Sequence, residues 1–436
     1  MEHMKCLECG QNYTNENFYY CNPCNSTHFR NNFAQWTSGD LSINKLIQNS
    51  QLNATFQYEL VEWIEYSNFE NIEFIANGGF GSVYKATWKD GPINTTRRVH
   101  PWNINKSEWN RDSNKEVAIK KIRNATSVSP EFLDEIRSTL MLNFIAYCNG
   151  IYGVTRDPHN NEYAIVMKYQ NLGNMREFIK KGHILNWKLI VKILHNISYG
   201  LSTIHRENWY HGDFHTGNIL LEGYGNYIGS VISDFGFCRP ADQSLADNPI
   251  YGVIPFIAQE VHCGEEFTEA ADVYGFGMVM SEIISGEAPF VDRDYDLHLV
   301  LDLCKGERPR IPEYTPEPFK ALMKRCWDSI PTNRPTAQEL YRQIGDWYAI
   351  ICKFELNDIQ LSKKLEIEEE FSKEREDRWK ARLSKLTINP YPLKHSQNFL
   401  TSKQLEYSKQ LTTQLIDIKP YYTRQFDMSL CLSTRI

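Results

Sequence analysis

Three polar side chains in the middle of the chain have the types and the order that phosphoryl transfer requires. Asp213 is followed five residues later by Asn218, and Asp234 stands at the end of an apolar, β-rich run. A carboxylate can orient an attacking hydroxyl group, while an amide and a second carboxylate can hold Mg²⁺ against nucleotide phosphates. Each piece alone is a weak signal, because such short motifs also occur in solvated loops. Their order and spacing together predict a phosphoryl-transfer site.

Four cysteines near the N-terminus have the spacing of a metal site. Cys6 and Cys9 form one Cys-x-x-Cys pair, and Cys21 and Cys24 form a second pair. Four thiolates match a closed tetrahedral Zn²⁺ site, which lacks an open position for catalysis and is therefore structural. Free thiols or two disulfides are the alternatives. The segment has few apolar residues, so the metal would supply its folding free energy.

A glycine-rich turn joins two predicted strands further along the chain. Gly78 and Gly81 would let the backbone approach phosphate groups closely and adopt positive φ values. Val83 follows in the second strand, where its side chain could contact a flat base. The turn by itself is also compatible with an ordinary hairpin.

Lys120 strengthens the interpretation of this turn as a phosphate-binding loop. It ends the buried-strand pattern of residues 117–119, and a lysine has little reason to be buried there unless it meets an anion. A Ser-Pro step then begins a helix. Glu135 lies beside the apolar line of that helix, so we predict that Glu135, rather than Glu131, pairs with Lys120. The alternative is a surface ion pair that contributes little stability.

The composition sets limits on the class of protein. The chain has 436 residues, an apolar fraction of 42% and a net charge of −7, which fits two or three globular units and does not favour a nucleic-acid partner. We see neither an N-terminal leader nor an apolar run long enough to cross a membrane. Outside the N-terminal quartet the remaining cysteines are scattered singly, which favours a reducing, cytoplasmic location.

Several stretches are expected to connect or extend the units. Residues 33–67 have apolar positions at helical spacing, which predicts one or two amphipathic helices ending at residues 63–65. They would pack between neighbouring units or bind a partner. Residues 89–116 are polar and predict an insertion between two strands. The region after residue 350 is densely charged, which predicts a solvated helix or a flexible extension. A regulatory or oligomerising helix is the alternative. Residues 384–436 are predicted to be disordered.

These motifs together resemble a eukaryotic protein kinase from about residue 69 to about residue 350. In detail they resemble the tyrosine-kinase-like branch, as found in fungal kinase expansions whose members carry an N-terminal pair of Cys-x-x-Cys motifs. The resemblance implies a two-lobed α+β fold with a small β-rich lobe and a large helical lobe. The expected domains are a zinc module (1–30), an amphipathic helical connector (31–68), a protein kinase domain (69–350) and a charged helix with a disordered tail (351–436).

The resemblance also implies roles for individual residues. Asp213 would be the catalytic base, Lys120 would hold the nucleotide phosphates with Glu135 as its partner, and Asn218 and Asp234 would bind Mg²⁺. Met167 would be the gatekeeper of the adenine pocket. The remaining residues expected around ATP are Ile75, Gly78, Gly81, Val83, Ala118, Tyr169 and Leu220. For Val83, Ala118 and Leu220, plain core packing is the alternative.

The resemblance further implies two structural contacts in the larger lobe. Asp272 would tie down the catalytic loop from below, and Glu260 would form a buried ion pair with Arg334 that is structural rather than catalytic.

The chain departs from the family pattern at five positions. Ala76 replaces the first glycine of the phosphate loop, which would weaken nucleotide binding at most. Gly212 replaces the arginine that normally pairs with an activation-loop phosphate, so loop phosphorylation would not be needed to order the site. His215 and Val253 replace the lysine and threonine that serine/threonine kinases use around the catalytic aspartate. Gln259 replaces a proline, which we expect to be tolerated.

The sequence therefore predicts a cytoplasmic ATP- and Mg²⁺-dependent kinase that phosphorylates serine or threonine of a protein substrate, with tyrosine not excluded. The alternative is a pseudokinase scaffold that acts through protein–protein interaction. In either case the zinc module could dock a partner protein or merely cap the kinase domain.

Overall fold

The structure is a computed structural model, and it describes residues 5–77, 81–94, 99–122, 129–143, 145–183, 185–225, 227–241, 250–388 and 402–405. The chain divides into two compact units. The first comprises residues 1–170 together with 234–236, and the second comprises residues 171–233 and 237–436. Gly78 and the two residues after it, part of the predicted glycine-rich turn, lie outside the described residues, as does much of the predicted disordered tail.

The first unit is built on a six-stranded sheet with the strand order β1-β7-β8-β6-β3-β2. β1 runs parallel to β7, and the other neighbours are antiparallel. The strands of this unit are β1 (Glu62–Trp63), β2 (Phe69–Asn77), β3 (Gly81–Trp88), β4 (Trp102–Asn103), β5 (Glu108–Trp109), β6 (Lys115–Ile122), β7 (Ile151–Arg156) and β8 (Tyr163–Lys168). Its helices are α1 (Asn22–Asn32), α2 (Leu41–Asn53) and α3 (Pro130–Leu142).

Both faces of this sheet are covered by apolar cores, because alternate side chains of a strand point to opposite faces. One core contains Val117 and Ile119 of β6 together with Trp88. The other contains Ile165 of β8, packed with residues of helices α2 and α3 such as Ile43 and Phe132. Lys120 lies directly opposite Ile165 in the β6–β8 pair, so its side chain starts on the face that α3 covers.

The expectation for residues 33–67 is partly wrong. Helix α2 begins at Leu41, where Asp40 caps it through two backbone N–H groups, and it ends at Asn53. The helix predicted to end at residues 63–65 is absent there, and Trp63 instead forms strand β1 together with Glu62. Val61 and Ile64 on either side of this strand are buried, and their β-branched side chains favour an extended backbone that adds to the sheet edge. The helix and the strand are thus integral parts of the sheet unit.

The polar insertion between β3 and β6 packs on the cysteine-containing segment. It carries the short β4–β5 hairpin. Trp102 stacks on His28 with ring centroids 3.8 Å apart, and Trp109 stacks on Phe29 at 4.3 Å. Its tryptophans therefore serve packing, a role that the absence of periodicity did not reveal.

The second unit is mainly helical. Its elements are β9 (Gly173–Asn174), α4 (Met175–Lys180), α5 (Trp187–Arg206), β10 (Trp209–Tyr210), β11 (Ile219–Tyr224), β12 (Tyr227–Ile232), β13 (Arg239–Pro240), β14 (Tyr251–Gly252), α6 (Gln259–His262), α7 (Glu269–Ser285), α8 (Leu297–Cys304), α9 (Glu317–Cys326), α10 (Ala337–Cys352), α11 (Asp358–Glu370), α12 (Lys373–Ile388) and β15 (Lys403–Gln404). Helices α5 and α7 form its core, since both are buried along most of their length.

In the described residues after residue 350 the charged region is helical, as one of the two alternatives predicted, but α12 is not merely solvated. The prediction of disorder from residue 384 onward is wrong for residues 384–388, which belong to α12, and for residues 403–404, which form β15. Trp379 of α12 is fully buried and stacks on Trp187 of α5 at 4.7 Å. The Trp187 backbone N–H also donates to Glu376, and Arg382 pairs with Glu287. Isolated apolar residues among many charges anchor this helix, which is why composition alone suggested an extension.

Candidate active site and candidate metal centre

Lys120 is the centre of a buried charged group in the first unit. Its Nζ atom donates to Glu135 Oε1 at 2.6 Å and to Asp234 Oδ1 at 2.8 Å. Burial alone would lower the pKa of Lys120, but attraction to the two carboxylates outweighs it and raises the pKa, so the ammonium group stays charged. The Lys120–Glu135 pairing expected from the sequence is present.

Asp234 adopts a backbone conformation that non-glycine residues seldom use. Its φ is 65°, in the left-handed region. Such a conformation costs on the order of 1 kcal/mol and persists where neighbouring contacts enforce it. Here a hydrogen bond from Lys120 holds the carboxylate. Gly236 lies beside both acidic side chains, since a Cβ atom there would be 3.6 Å from Asp234 Oδ1 and from Glu135 Oε2. The strain is located where a metal-binding carboxylate is expected.

The sheet brings several residues expected around ATP onto one face. Val83 lies opposite Lys120 in the β3–β6 pair, and Met167 lies opposite Ala118 in the β6–β8 pair. Because directly opposed residues share a face, and residues two apart on a strand do too, these four side chains project together.

The other expected nucleotide residues are less tightly grouped. Ile75 is 44% exposed, beside an irregularity in the β2–β3 pairing, and Gly81 begins β3. Tyr169 directly follows β8, and Lys85 lies over its ring. Leu220 lies in β11 of the second unit, half-buried opposite Asn174 and Val231.

Asp213 lies in a buried loop of the second unit. Asn218 donates its side-chain amide to the Asp213 backbone oxygen at 2.9 Å and to Asp213 Oδ2 at 3.1 Å. His215 Nε2 is 3.5 Å from the same carboxylate oxygen. Burial raises the pKa of Asp213, but the His215 ring and hydrogen bonds to the carboxylate outweigh burial and leave the pKa below its ordinary value. Asp213 is therefore an ionised acceptor at neutral pH.

A second aspartate fixes the backbone of this loop. Asp272 of α7 is fully buried and accepts from the backbone N–H groups of His211 at 2.7 Å and Gly212 at 3.0 Å. His205 Nε2 lies 3.0 Å from the same carboxylate. The prediction that Asp272 ties down the loop is confirmed. The predicted buried pair of Glu260 and Arg334 is also present, with two bonds of 2.6 and 2.7 Å.

The structure explains two departures from the family pattern. Gly212 has φ 81°, and a Cβ atom there would lie 2.7 Å from the Phe237 backbone oxygen, so an arginine does not fit this backbone. Gln259 is buried, yet its amide donates to the Ser329 backbone oxygen and accepts from Arg308. Because both ends of the amide are paired, the loss of the proline is compensated.

The four N-terminal cysteines converge in the first unit. Their Sγ atoms all lie within 4.8 Å of one another, with Cys6–Cys24 at 3.8 Å and Cys9–Cys21 at 3.7 Å. Four sulfurs about 2.3 Å from a central Zn²⁺ would stand about 3.8 Å apart, whereas a disulfide would require about 2 Å. None of these four cysteines is in a disulfide bond. The donor set and its spacing fit a four-thiolate metal centre.

Ser402 lies at the Asp213 loop, although the sequence did not single it out. Its hydroxyl group lies 2.5 Å from Asp213 Oδ2 and 2.9 Å from His215 Nε2. No local motif marks this serine, which stands in a polar stretch like many others. Only the folded chain brings it to this loop.

The comparisons with known proteins agree with this geometry. Residues 69–344 match the family model described as protein tyrosine and serine/threonine kinase. A probable serine/threonine-protein kinase of Dictyostelium discoideum is 27% identical over 64% of this chain and 16% of its own length. Mouse receptor-interacting serine/threonine-protein kinase 4 is 28% identical over 66% of this chain and 35% of its own length. Mitogen-activated protein kinase kinase kinase 13-B of Xenopus laevis is 28% identical over 52% of this chain and 22% of its own length.

The chain thus spans well under half the length of these curated relatives. In the described part of the chain, helices long and apolar enough to cross a membrane are absent. The family model covers more than half of the 436 residues and includes the Lys120 group, the Asp213 loop and the Glu260–Arg334 pair. The chain belongs to the protein tyrosine and serine/threonine kinase family.

Proposed function

We propose that this protein is an active ATP- and Mg²⁺-dependent protein kinase that transfers the γ-phosphoryl group to serine or threonine of a protein substrate. The observation that carries the proposal is the buried Lys120, held between Glu135 and Asp234. The relatives described above are named as serine/threonine kinases, which supports that acceptor class. The assignment to the tyrosine-kinase-like branch and to the cytoplasm forms part of the proposal.

Each group has a distinct role in this proposal. Lys120 binds the α- and β-phosphates of ATP, and Glu135 orients it. Asp234 and Asn218 bind Mg²⁺, which neutralises charge on the transferring phosphoryl group. The residues around the nucleotide are Ile75, Gly78, Gly81, Val83, Ala118, Met167, Tyr169 and Leu220.

Asp213 orients the acceptor hydroxyl group and receives its proton. Its carboxylate is fixed by Asn218 and is ionised, as this role needs. His215 stands where the family has a lysine and can donate to the acceptor oxygen. With His215 as donor, the loss of the lysine leaves the chemistry intact.

The test is transfer of labelled phosphate from ATP to casein, followed by phosphoamino-acid analysis. We expect labelled phosphoserine or phosphothreonine with the wild-type chain and none with Asp213→Asn. In parallel, Mg²⁺–ATP should raise the melting temperature of the wild type and of Asp213→Asn. Absence of both transfer and thermal shift at millimolar ATP would overturn the proposal in favour of a scaffold without nucleotide chemistry.

We propose that Cys6, Cys9, Cys21 and Cys24 bind one structural Zn²⁺ ion within a module of residues 1–30. The sulfur spacing supports zinc rather than disulfides. Domain limits of 31–68 for the connector, 69–350 for the kinase domain and 351–436 for the tail complete this proposal. The module packs on the β4–β5 hairpin, so we assign it a structural role and leave partner docking as its alternative.

Metal analysis of the purified full chain tests the zinc proposal. We expect about one zinc per chain in the wild type and in the control Cys352→Ser, which changes a thiol outside the cluster. Cys21→Ser should lose the metal and lower the melting temperature. A metal-free wild-type chain whose melting temperature is unchanged by added Zn²⁺ would contradict the proposal.

A further inference from the structure

A short segment near the C-terminus lies against the Asp213 loop, within the same unit. Ser402 Oγ is 2.5 Å from Asp213 Oδ2 and 2.9 Å from His215 Nε2. Ser402, Asp213 and His215 are all buried, at 7%, 6% and 4% exposure. A serine hydroxyl group therefore occupies the position in which an acceptor hydroxyl would meet the proposed base.

The hydrogen-bond directions around Ser402 can be assigned from the network. His215 Nδ1 accepts from the Gly217 backbone N–H at 3.0 Å, so the ring proton is on Nε2. His215 Nε2 therefore donates to Ser402 Oγ, and the Ser402 hydroxyl group donates to Asp213 Oδ2. One lone pair on Ser402 Oγ remains for a bond to phosphorus. This is the arrangement of an acceptor before transfer.

The backbone on both sides of this contact holds the segment in place. Lys403 and Gln404 form strand β15, which pairs antiparallel with Tyr251 and Gly252 of β14. The backbone N–H of the next residue, Leu405, donates to the Ile250 backbone oxygen at 2.8 Å. Addition of a strand to an exposed backbone edge is a common mode of peptide recognition.

Two further details fit the segment to this position. Leu405 is 4% exposed, so an apolar side chain anchors the segment three residues after the serine. A Cβ atom on Gly252 would lie 3.3 Å from Asp213 Oδ1, so the β14 backbone runs directly past the carboxylate. The pairing that holds residues 403–404 is thus continuous with the site of the Ser402 hydroxyl group.

We propose that Ser402 is a phosphorylation site of the protein itself, modified within the same chain while residues 402–405 occupy the acceptor site. The proposal rests on the proposed kinase function, which supplies ATP. Ser402 Oγ forms a bond to the γ-phosphorus as the bond from that phosphorus to the β–γ bridging oxygen breaks. ADP leaves with the electron pair, and the hydroxyl proton passes to Asp213 and then to water.

Modification would also release the segment. Phosphoserine carries about −1.5 to −2 charges at neutral pH. Next to the buried Asp213 carboxylate this charge is repelled, so the modified segment leaves and the acceptor site opens to other proteins. Before modification, the segment competes with external substrates for the same strand edge.

The test uses the full chain, treated with phosphatase and then supplied with Mg²⁺–ATP, with phosphorylated Ser402 measured by mass spectrometry. Because the reaction is intramolecular, its rate constant should stay constant over about a fiftyfold range of protein concentration. Asp213→Asn should carry no phosphate on Ser402, even when mixed with the wild type. Ser402→Thr should become phosphothreonine, and the control Ser362→Ala, at an exposed helix position, should behave as wild type.

Leu405→Asp tests the strand docking separately. Burial of a charge at this position should displace the segment, so we expect at least about a tenfold slower phosphorylation of Ser402, with faster casein phosphorylation. A wild type that labels casein but leaves Ser402 unmodified would overturn this inference and leave the proposed function intact. Ser402 labelling whose rate constant rises with concentration would overturn the intramolecular step. Failure to label either acceptor would count against the proposed function itself.

Discussion

The Lys120 group and the Asp213 loop surround a carboxylate with opposite kinds of partner. Asp234 faces a fixed ammonium group that another carboxylate, Glu135, also holds. The described contacts of Asp213 are instead to an amide, an imidazole ring and a hydroxyl group. The first arrangement cancels charge and suits the binding of phosphates and a metal. The second leaves a carboxylate whose charge is not cancelled, which suits proton acceptance.

The structural elements that position these two groups also differ. Lys120 and Glu135 come from a strand and a helix whose packing is fixed by two apolar cores. Asp213 belongs to a loop whose backbone is held by Asp272. The packed strand and helix thus fix where the charges of Lys120 and Glu135 lie. The hydrogen-bonded loop fixes the direction in which the Asp213 carboxylate points. Substitutions in the two groups should therefore have separable effects.

The largest effect should come from Asp234→Ala. It removes a proposed metal ligand, and a bound metal stabilises transition-state charge by several kcal/mol, so we expect a loss of about 10³-fold in kcat. The rise in melting temperature with Mg²⁺–ATP should also disappear. A variant that keeps the full thermal shift would place the metal–nucleotide site elsewhere.

Asp213→Asn should lower kcat by about 10²-fold, because it removes the proposed proton acceptor but keeps the side-chain shape. In contrast to Asp234→Ala, the thermal shift with Mg²⁺–ATP should be retained. Steady-state phosphorylation of casein measures the first quantity and differential scanning fluorimetry the second. Loss of both together would show that the two groups do not have separate roles.

Glu135→Gln should lower kcat/KM by about tenfold, since Lys120 loses one charge partner but keeps Asp234. The KM for ATP should rise, because Lys120 is less well oriented. Glu131→Gln, on the same helix, is the matched control and should behave as wild type. Equal effects of the two substitutions would argue that Glu131 shares the role.

The smallest effect should come from His215→Ala, which removes one proposed hydrogen-bond donor to the acceptor hydroxyl group. We expect a loss of about threefold in kcat, in the range of a single net hydrogen bond. His215→Lys, which introduces the residue typical of the family, should restore activity. His298→Ala, at a highly exposed histidine, is the control. An unchanged kcat in His215→Ala would exclude His215 as a donor to the acceptor.

Part of this architecture could be predicted from local sequence. Short motifs in a fixed order were sufficient to predict three features. These are the kinase resemblance of about residues 69–350, the Lys120–Glu135 pairing and the anchoring of the loop by Asp272. Strand β1 was not, because its apolar residues also fit a helical spacing and only the neighbouring β7 makes the extended form favourable. The burial of Trp379 could not be predicted either, because the many charged residues around it indicated a solvated segment.

The sequence by itself determined which chemical groups are present: the lysine, the carboxylates, the amide and the four thiols. Their types and spacing favour phosphoryl transfer and metal binding, which are the functions proposed above. Only the tertiary structure decided which distant residues meet them. Ser402 reaches Asp213 across 189 positions of the chain through backbone pairing of β14 with β15. Because this pairing involves the backbone groups of only two residues on each strand, which nearly all residue types can supply, the local sequence does not indicate it.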